Sequence, residues 1–197
     1  APNPPKVTAV AGDGKVTLYW DRSAENSKDK YMGNITNGVD LYDFEGYKIY
    51  RATDFEFNDA YNITDGDGNP TFLEPYVQDG VRAQWDLVNG KSGWHPVDLN
   101  GIKYYLGNET GLVHSYVDND VVNGQRYYYA VVSYDYGGDL TNNIIPSDSP
   151  MKLRVNPLTG AVSLGPNVVE VVPSPPSAGF VDASFAGDQV DHVAGSS

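Results

Sequence analysis

The stretch that decides the fold is Val117-Asp118-Asn119-Asp120-Val121-Val122-Asn123-Gly124-Gln125-Arg126-Tyr127-Tyr128-Tyr129-Ala130-Val131-Val132-Ser133-Tyr134-Asp135. Asn123-Gly124 is a turn dipeptide: both residues tolerate positive φ, so the chain can reverse there without steric cost. From Arg126 to Tyr134 nearly every residue is aromatic or β-branched. Such side chains suit a pleated, largely buried surface and lose rotamer freedom in a helix. The stretch reads as a central strand of an antiparallel sandwich.

Two upstream runs carry the matching signal. Val16, Leu18 and Trp20 alternate in G-K-V-T-L-Y-W-D, and Tyr47, Ile49 and Arg51 alternate in F-E-G-Y-K-I-Y-R-A. Taken with Gly124, Tyr127, Tyr129 and Val131, these motifs resemble a fibronectin type III domain: B strand with its core Trp, C strand, then the corner and F strand. Pro4 to Val10 is similar to the A strand, and Pro150 to Val155 to the G strand. The longer pattern, with I-T-D-G-D-G-N-P and Y-Y-L-G-N-E-T-G-L between, looks like the decorated modules of large secreted bacterial surface proteins. The resemblance implies an all-β, immunoglobulin-like antiparallel sandwich that is extracellular and non-catalytic. It also implies that the Tyr127 hydroxyl bonds back to upstream backbone.

The chain departs from a minimal member of that family in two places. A large insertion, residues 54–111, stands where the C-to-E connection should be short. It holds strand-like runs around Val81 to Leu87 and Ile102 to Leu106. Trp85, Trp94, Tyr104 and Tyr105 give it aromatic area for a small core of its own, and the expectation is a β-hairpin flap. After residues 1–156, residues 157–197 contain no Lys, Arg, Trp or Tyr and form an extended C-terminal arm or linker. Val168, Val169, Val171 and Val172 make one strand there, stopped by Pro173-Ser174-Pro175-Pro176. So few bulky side chains cannot offset roughly 1–2 kcal/mol of backbone entropy per residue, so the arm is expected to gain order by strand addition to a β-edge.

Composition removes several function classes. A net charge of −13 with only 13 Lys and Arg argues against nucleic acid and against anionic membrane surfaces. No apolar run approaches the roughly 20 residues of a spanning helix. There is no Cys, hence no thiolate site and no Cys nucleophile. His95, His114 and His192 stand alone, without zinc-site spacing, and neither a nucleophile elbow nor a Walker loop occurs. Beginning at Ala1 suits a mature form after signal cleavage or a fragment edge.

Candidate chemistry is sparse. Asp65, Asp67 and Asn69 have the D-x-D-x-N spacing of a Ca2+ loop, yet Pro70 stands where a helix-loop-helix site needs Gly and Tyr76 where it needs Glu. A non-helical Ca2+ loop and a plain Asp/Gly turn both fit. Asp118 and Asp120 read as turn caps. Asn34, Asn62 and Asn108 begin N-x-T glycosylation triplets. Trp85 and Trp94 are the candidates for stacking on a ligand, a core role being the competing reading of each.

The function expected from these observations is a structural subunit or module, secreted or at the cell surface. It would assemble with other copies of itself, or with other surface proteins, as a layer or filament through its arm. The alternative is a carbohydrate-binding or adhesion module contacting glycans through the insertion aromatics, with Ca2+ as a possible cofactor.

Overall fold

The computed structural model describes residues 1–35 and 42–176. In chain order its elements are β1 (Val7–Gly12), β2 (Lys15–Trp20), α1 (Lys30–Ile35), β3 (Phe44–Ala52), β4 (Asn62–Thr64), β5 (Pro70–Leu73), β6 (Val77–Gln78), β7 (Val81–Arg82), β8 (Gln84–Asp86), β9 (Trp94–Leu99), β10 (Ile102–Tyr105), β11 (Ser115–Asp118), β12 (Tyr127–Asp135), β13 (Leu153–Val155), β14 (Val162–Leu164) and β15 (Val168–Val171). Every ladder is antiparallel, and apart from the single short α1 the described chain is all-β.

Two sheets carry the core, one in the order β1-β2-β11 and the other β15-β12-β3-β8. Alternation explains the first: Val16, Leu18 and Trp20 point inward while the intervening residues do not. They meet Tyr47, Ile49, Tyr129 and Val131 of the second sheet in one buried cluster. In β3 and β12 alternation breaks down, because the opposite face is covered as well. Tyr50, Ala52, Tyr128, Ala130 and Val132 pack there under Phe57, Ala60, Leu73, Met151 and Leu164. A strand buried on both faces reads as a continuous apolar run, and all nine residues of β12 are buried.

Residues 54–111 hold three hairpins, β4–β5, β6–β7 and β9–β10, together with β8, which joins the second sheet through Tyr47↔Trp85. Two of the hairpins turn on two residues with positive φ, Asp79-Gly80 and Asn100-Gly101. That backbone twist matches the strands it joins, which is why Asp-Gly and Asn-Gly are favoured there. The expected contact from the Tyr127 hydroxyl to upstream backbone is present, the Val122 N–H donating to it at 3.0 Å.

The C-terminal strands differ from expectation. Residues 153–155 do not border β12; they form a separate ribbon with β14. The place beside β12 belongs to β15, registered Tyr127↔Val171 and Tyr129↔Val169. Val169 and Val171 face the sandwich core and Val168 the opposite cluster, while Val172 lies beyond the strand and is exposed. The strand of the arm therefore pairs with an edge of its own chain. The buried Asn167 fixes this arrangement: its side chain bonds the backbone of Lys152 and Pro150, and its carbonyl accepts from Val131 N–H at 3.0 Å. Residues 177–197, His192 among them, lie outside the described residues.

Candidate functional site

On the side of the sandwich opposite β15, the edge strands β8 and β11 leave an opening roofed by the β6–β7 hairpin. The Asn119 N–H holds the hairpin down by donating to the Gln78 amide oxygen Oε1 at 2.9 Å. The result is a groove of about 840 Å³, within the range of small-molecule sites. Trp85 and Tyr116 line it, their ring centroids 5.5 Å apart in an edge arrangement, and Trp85 leans on the core Trp20 at 5.8 Å. Tyr105 forms a further wall, with Arg82 over its ring at 5.0 Å and Arg82 Nε held to Glu74 Oε1 at 2.6 Å.

Of the two tryptophans singled out in the sequence, Trp85 is both core and groove: its half-buried ring packs on the core cluster and lines the opening. Trp94 is 58% exposed and stands edge-on to Tyr105, ring centroids 5.0 Å apart, on the neighbouring hairpin. Tyr105 is the side chain that brings the two regions together. Tyr116 was not singled out by sequence reasoning, although its alternation with Asp118 in β11 marks an inward position. Its hydroxyl is buried without a hydrogen-bond partner. Burial above all, then the Asp118 charge, pushes that hydroxyl up to about 12, so it remains a neutral donor and acceptor at ordinary pH.

The aromatic ridge behind the groove is braced by charge. Arg51 Nη1 bonds Asp118 Oδ2 at 3.0 Å and its guanidinium stacks on Tyr76 at 3.9 Å. Asp118 also caps its own turn, accepting the Asp120 N–H at 2.9 Å. On the far face of β3, Lys48 is buried with its Nζ 3.4 Å from Asp148 Oδ1 and 3.7 Å from the Tyr104 ring centroid. Tyr50 and Tyr104 donate to the same carboxylate. Burial lowers the Lys48 ammonium's pKa and raises both phenols. Such a cluster could do proton chemistry in an open cleft. Here the cavity beside it is about 20 Å³, room for about one water. The cluster pins the 139–150 loop to the sheet.

The Asp65 loop is a hydrogen-bonded turn. Asp65 Oδ1 accepts the N–H groups of Asp67 at 3.0 Å and Asn69 at 2.9 Å, and the Asn69 amide donates to it as well. The Asn69 backbone bond, first among these, holds the Asp65 carboxyl below its usual range. The loop thus turns several donors toward the Asp65 carboxylate. Asn34, Asn62 and Asn108 are all exposed. Asn108 lines the groove and accepts from the Tyr105 hydroxyl; Thr36 of the first triplet lies outside the described residues.

No helix among the described residues is long and apolar enough to cross a membrane. No family model matches this chain, and no curated protein or solved structure matches it.

Proposed function

We propose that the chain is a non-catalytic, extracellular module of fibronectin type III-like architecture that binds glycans in the groove between β8 and β11. Strand orders β1-β2-β11 and β15-β12-β3-β8, with the Tyr127 to Val122 contact, support the architecture. The observation that carries the binding reading is the convergence of Trp85, Tyr105 and Tyr116 on one open groove. Aromatic faces stack on the C–H faces of sugar rings, and the neighbouring amide and carboxylate side chains offer planar hydrogen-bonding groups to their hydroxyls. A glycan array, run with and without chelator, tests it. Binding of a defined sugar class that is lost in Tyr105→Ala and weakened in Tyr116→Ala is expected. An array on which the folded protein binds nothing, or binds identically after both substitutions, removes the reading.

A second reading, assembly with other copies, is favoured by one feature of the arm. With β15 engaged in its own sheet, the segment left to offer among the described residues is the β13–β14 ribbon. Val155 and Val162 are exposed there, and Leu158 at its tip is 94% exposed. A two-stranded ribbon with apolar side chains in solvent is an edge to which another strand can add.

A further inference from the structure

We infer that Asp29, Asp43 and Asp135 form a binding site for a hard divalent cation of the calcium type, separate from the Asp65 loop. The three come from distant parts of the chain: the residue before α1, the residue before β3, and the last residue of β12. One carboxylate oxygen from each lies within 4.8 Å of the others.

Two of the carboxylates are held by bonds that aim them. Asp29 Oδ1 accepts the N–H groups of Tyr31 at 2.7 Å and Met32 at 3.1 Å. Asp135 Oδ1 accepts Ser147 N–H at 2.8 Å, and its Oδ2 takes the Ser147 hydroxyl at 2.6 Å. Asp43 is different: it is 6% exposed, and its buried Oδ2 has no hydrogen-bond partner. A buried carboxylate oxygen beside two more carboxylates, with no donor, is the opposite of what folding ordinarily tolerates. Burial first, then the Asp135 and Asp29 charges, raises the Asp43 carboxyl to about 7.

Positive charge already occupies part of the cluster. The Ala1 ammonium bonds Asp29 Oδ2 and Asp135 Oδ2, each at 3.0 Å. It makes no such bond to Asp43, and among the described residues no Lys, Arg or His makes an ion pair with any of the three. One positive charge faces three carboxyl groups. A divalent cation supplies the remainder and gives the Asp43 oxygen its partner. Carboxylate and hydroxyl oxygens, without imidazole or thiolate, select Ca2+ or Mg2+ over zinc. Ca2+ accepts irregular coordination and additional carbonyl or water ligands, whereas Mg2+ demands near-octahedral geometry.

The test is calorimetric titration of the full chain, freed of metal by chelator, with CaCl2 and separately with MgCl2. One Ca2+ per chain is expected, with affinity at least tenfold lower in Asp43→Asn and unchanged in Asp65→Asn. Ca2+ should also raise the melting temperature of the parent chain, and raise that of Asp43→Asn less at the same concentration, because stabilisation grows with the ratio of ligand concentration to its dissociation constant. Should Asp43→Asn not fold, Asp29→Asn serves in its place. No Ca2+ uptake at millimolar concentration, uptake unchanged by Asp43→Asn, or uptake abolished by Asp65→Asn overturns the inference. None of these outcomes bears on sugar binding in the groove, which the array reads separately.

Discussion

Arg51 Nη1 lies 3.0 Å from Asp118 Oδ2, and the Asp118 side chain is entirely shut off from solvent. The same oxygen accepts the Tyr129 hydroxyl at 2.7 Å, and the other accepts Tyr76 and the Asp120 N–H. This pair links β3, β11 and β12 across the two sheets.

Removing one member of a buried pair strands the other, at about 3–5 kcal/mol. Arg51→Met should fall at the lower end, about 3 kcal/mol, because three donors to Asp118 remain. Urea denaturation reads the loss. A double substitution, Arg51→Met with Asp118→Leu, should recover part of it, since no unpaired charge is then left behind. If the single substitution costs under about 1 kcal/mol, the pair is not what braces the sheets.

Buried phenols set the alkaline limit of the fold. Burial raises Tyr50, Tyr104 and Tyr129 above the ordinary phenol value, with the Asp148 and Asp118 charges adding to it. A raised native pKa means that stability is fully present below the unfolded-state value of about 10 and is lost as pH climbs past it. Lys48, lowered by burial, acts in the opposite sense, stability rising with pH up to its unfolded value, but it is one group against several. Tyrosinate absorbance should therefore appear cooperatively with loss of near-ultraviolet circular dichroism. Gradual ionisation of these phenols in a folded protein at pH 10 would contradict this.

Gly46 occupies a position where no side chain fits. A Cβ there would stand 2.2 Å from the Trp85 carbonyl oxygen and 2.7 Å from the Tyr134 hydroxyl. Gly46→Ala should push β8 off β3 and cost at the upper end of the roughly 1–3 kcal/mol of overpacking. Because Trp85 sits on β8, the groove should lose ligand binding before the protein unfolds. Full binding in a destabilised Gly46→Ala would separate groove from strand.

Leu158→Ser addresses the assembly reading. The side chain is almost wholly in solvent, so stability should change by less than about 0.5 kcal/mol. Light scattering at high concentration should show a lower mass than for the parent chain. Equal masses would leave the ribbon without a role in association.

Much of the sandwich was legible because its signals are local. The alternation of Val16, Leu18 and Trp20 fixed a face, and the run from Tyr127 to Tyr134 announced a largely buried central strand, whereas the cover on its second face comes from residues distant in the chain. The placement of the last strand was not legible. Leu153–Val155 and Val168–Val171 have equal claim on β12 by composition, and the choice is made by the buried Asn167, whose bonds to Lys152 and Pro150 exist only in the folded chain. The site divides in the same way. Trp85 could be singled out by residue type, whereas Tyr116 becomes a groove residue only through the β6–β7 roof. Asp29, Asp43 and Asp135 have no spacing to read, since three turns of the fold, and no motif, bring them together.

The strand that completes the central sheet also touches the first strand of the chain. Val7 N–H donates to the Pro166 carbonyl at 2.8 Å, and Ser174 N–H to that of Gly12 at 3.2 Å. A polypeptide ending before Pro166 would keep most of its core yet leave Tyr127 to Ala130 with bare amides and carbonyls along one flank. A synthetic peptide spanning 165–176, offered in trans, has the register and the inward valines to dock there and restore the missing seam. Recovery of near-ultraviolet circular dichroism when that peptide is added to a chain ending at Gly165 is the expected outcome.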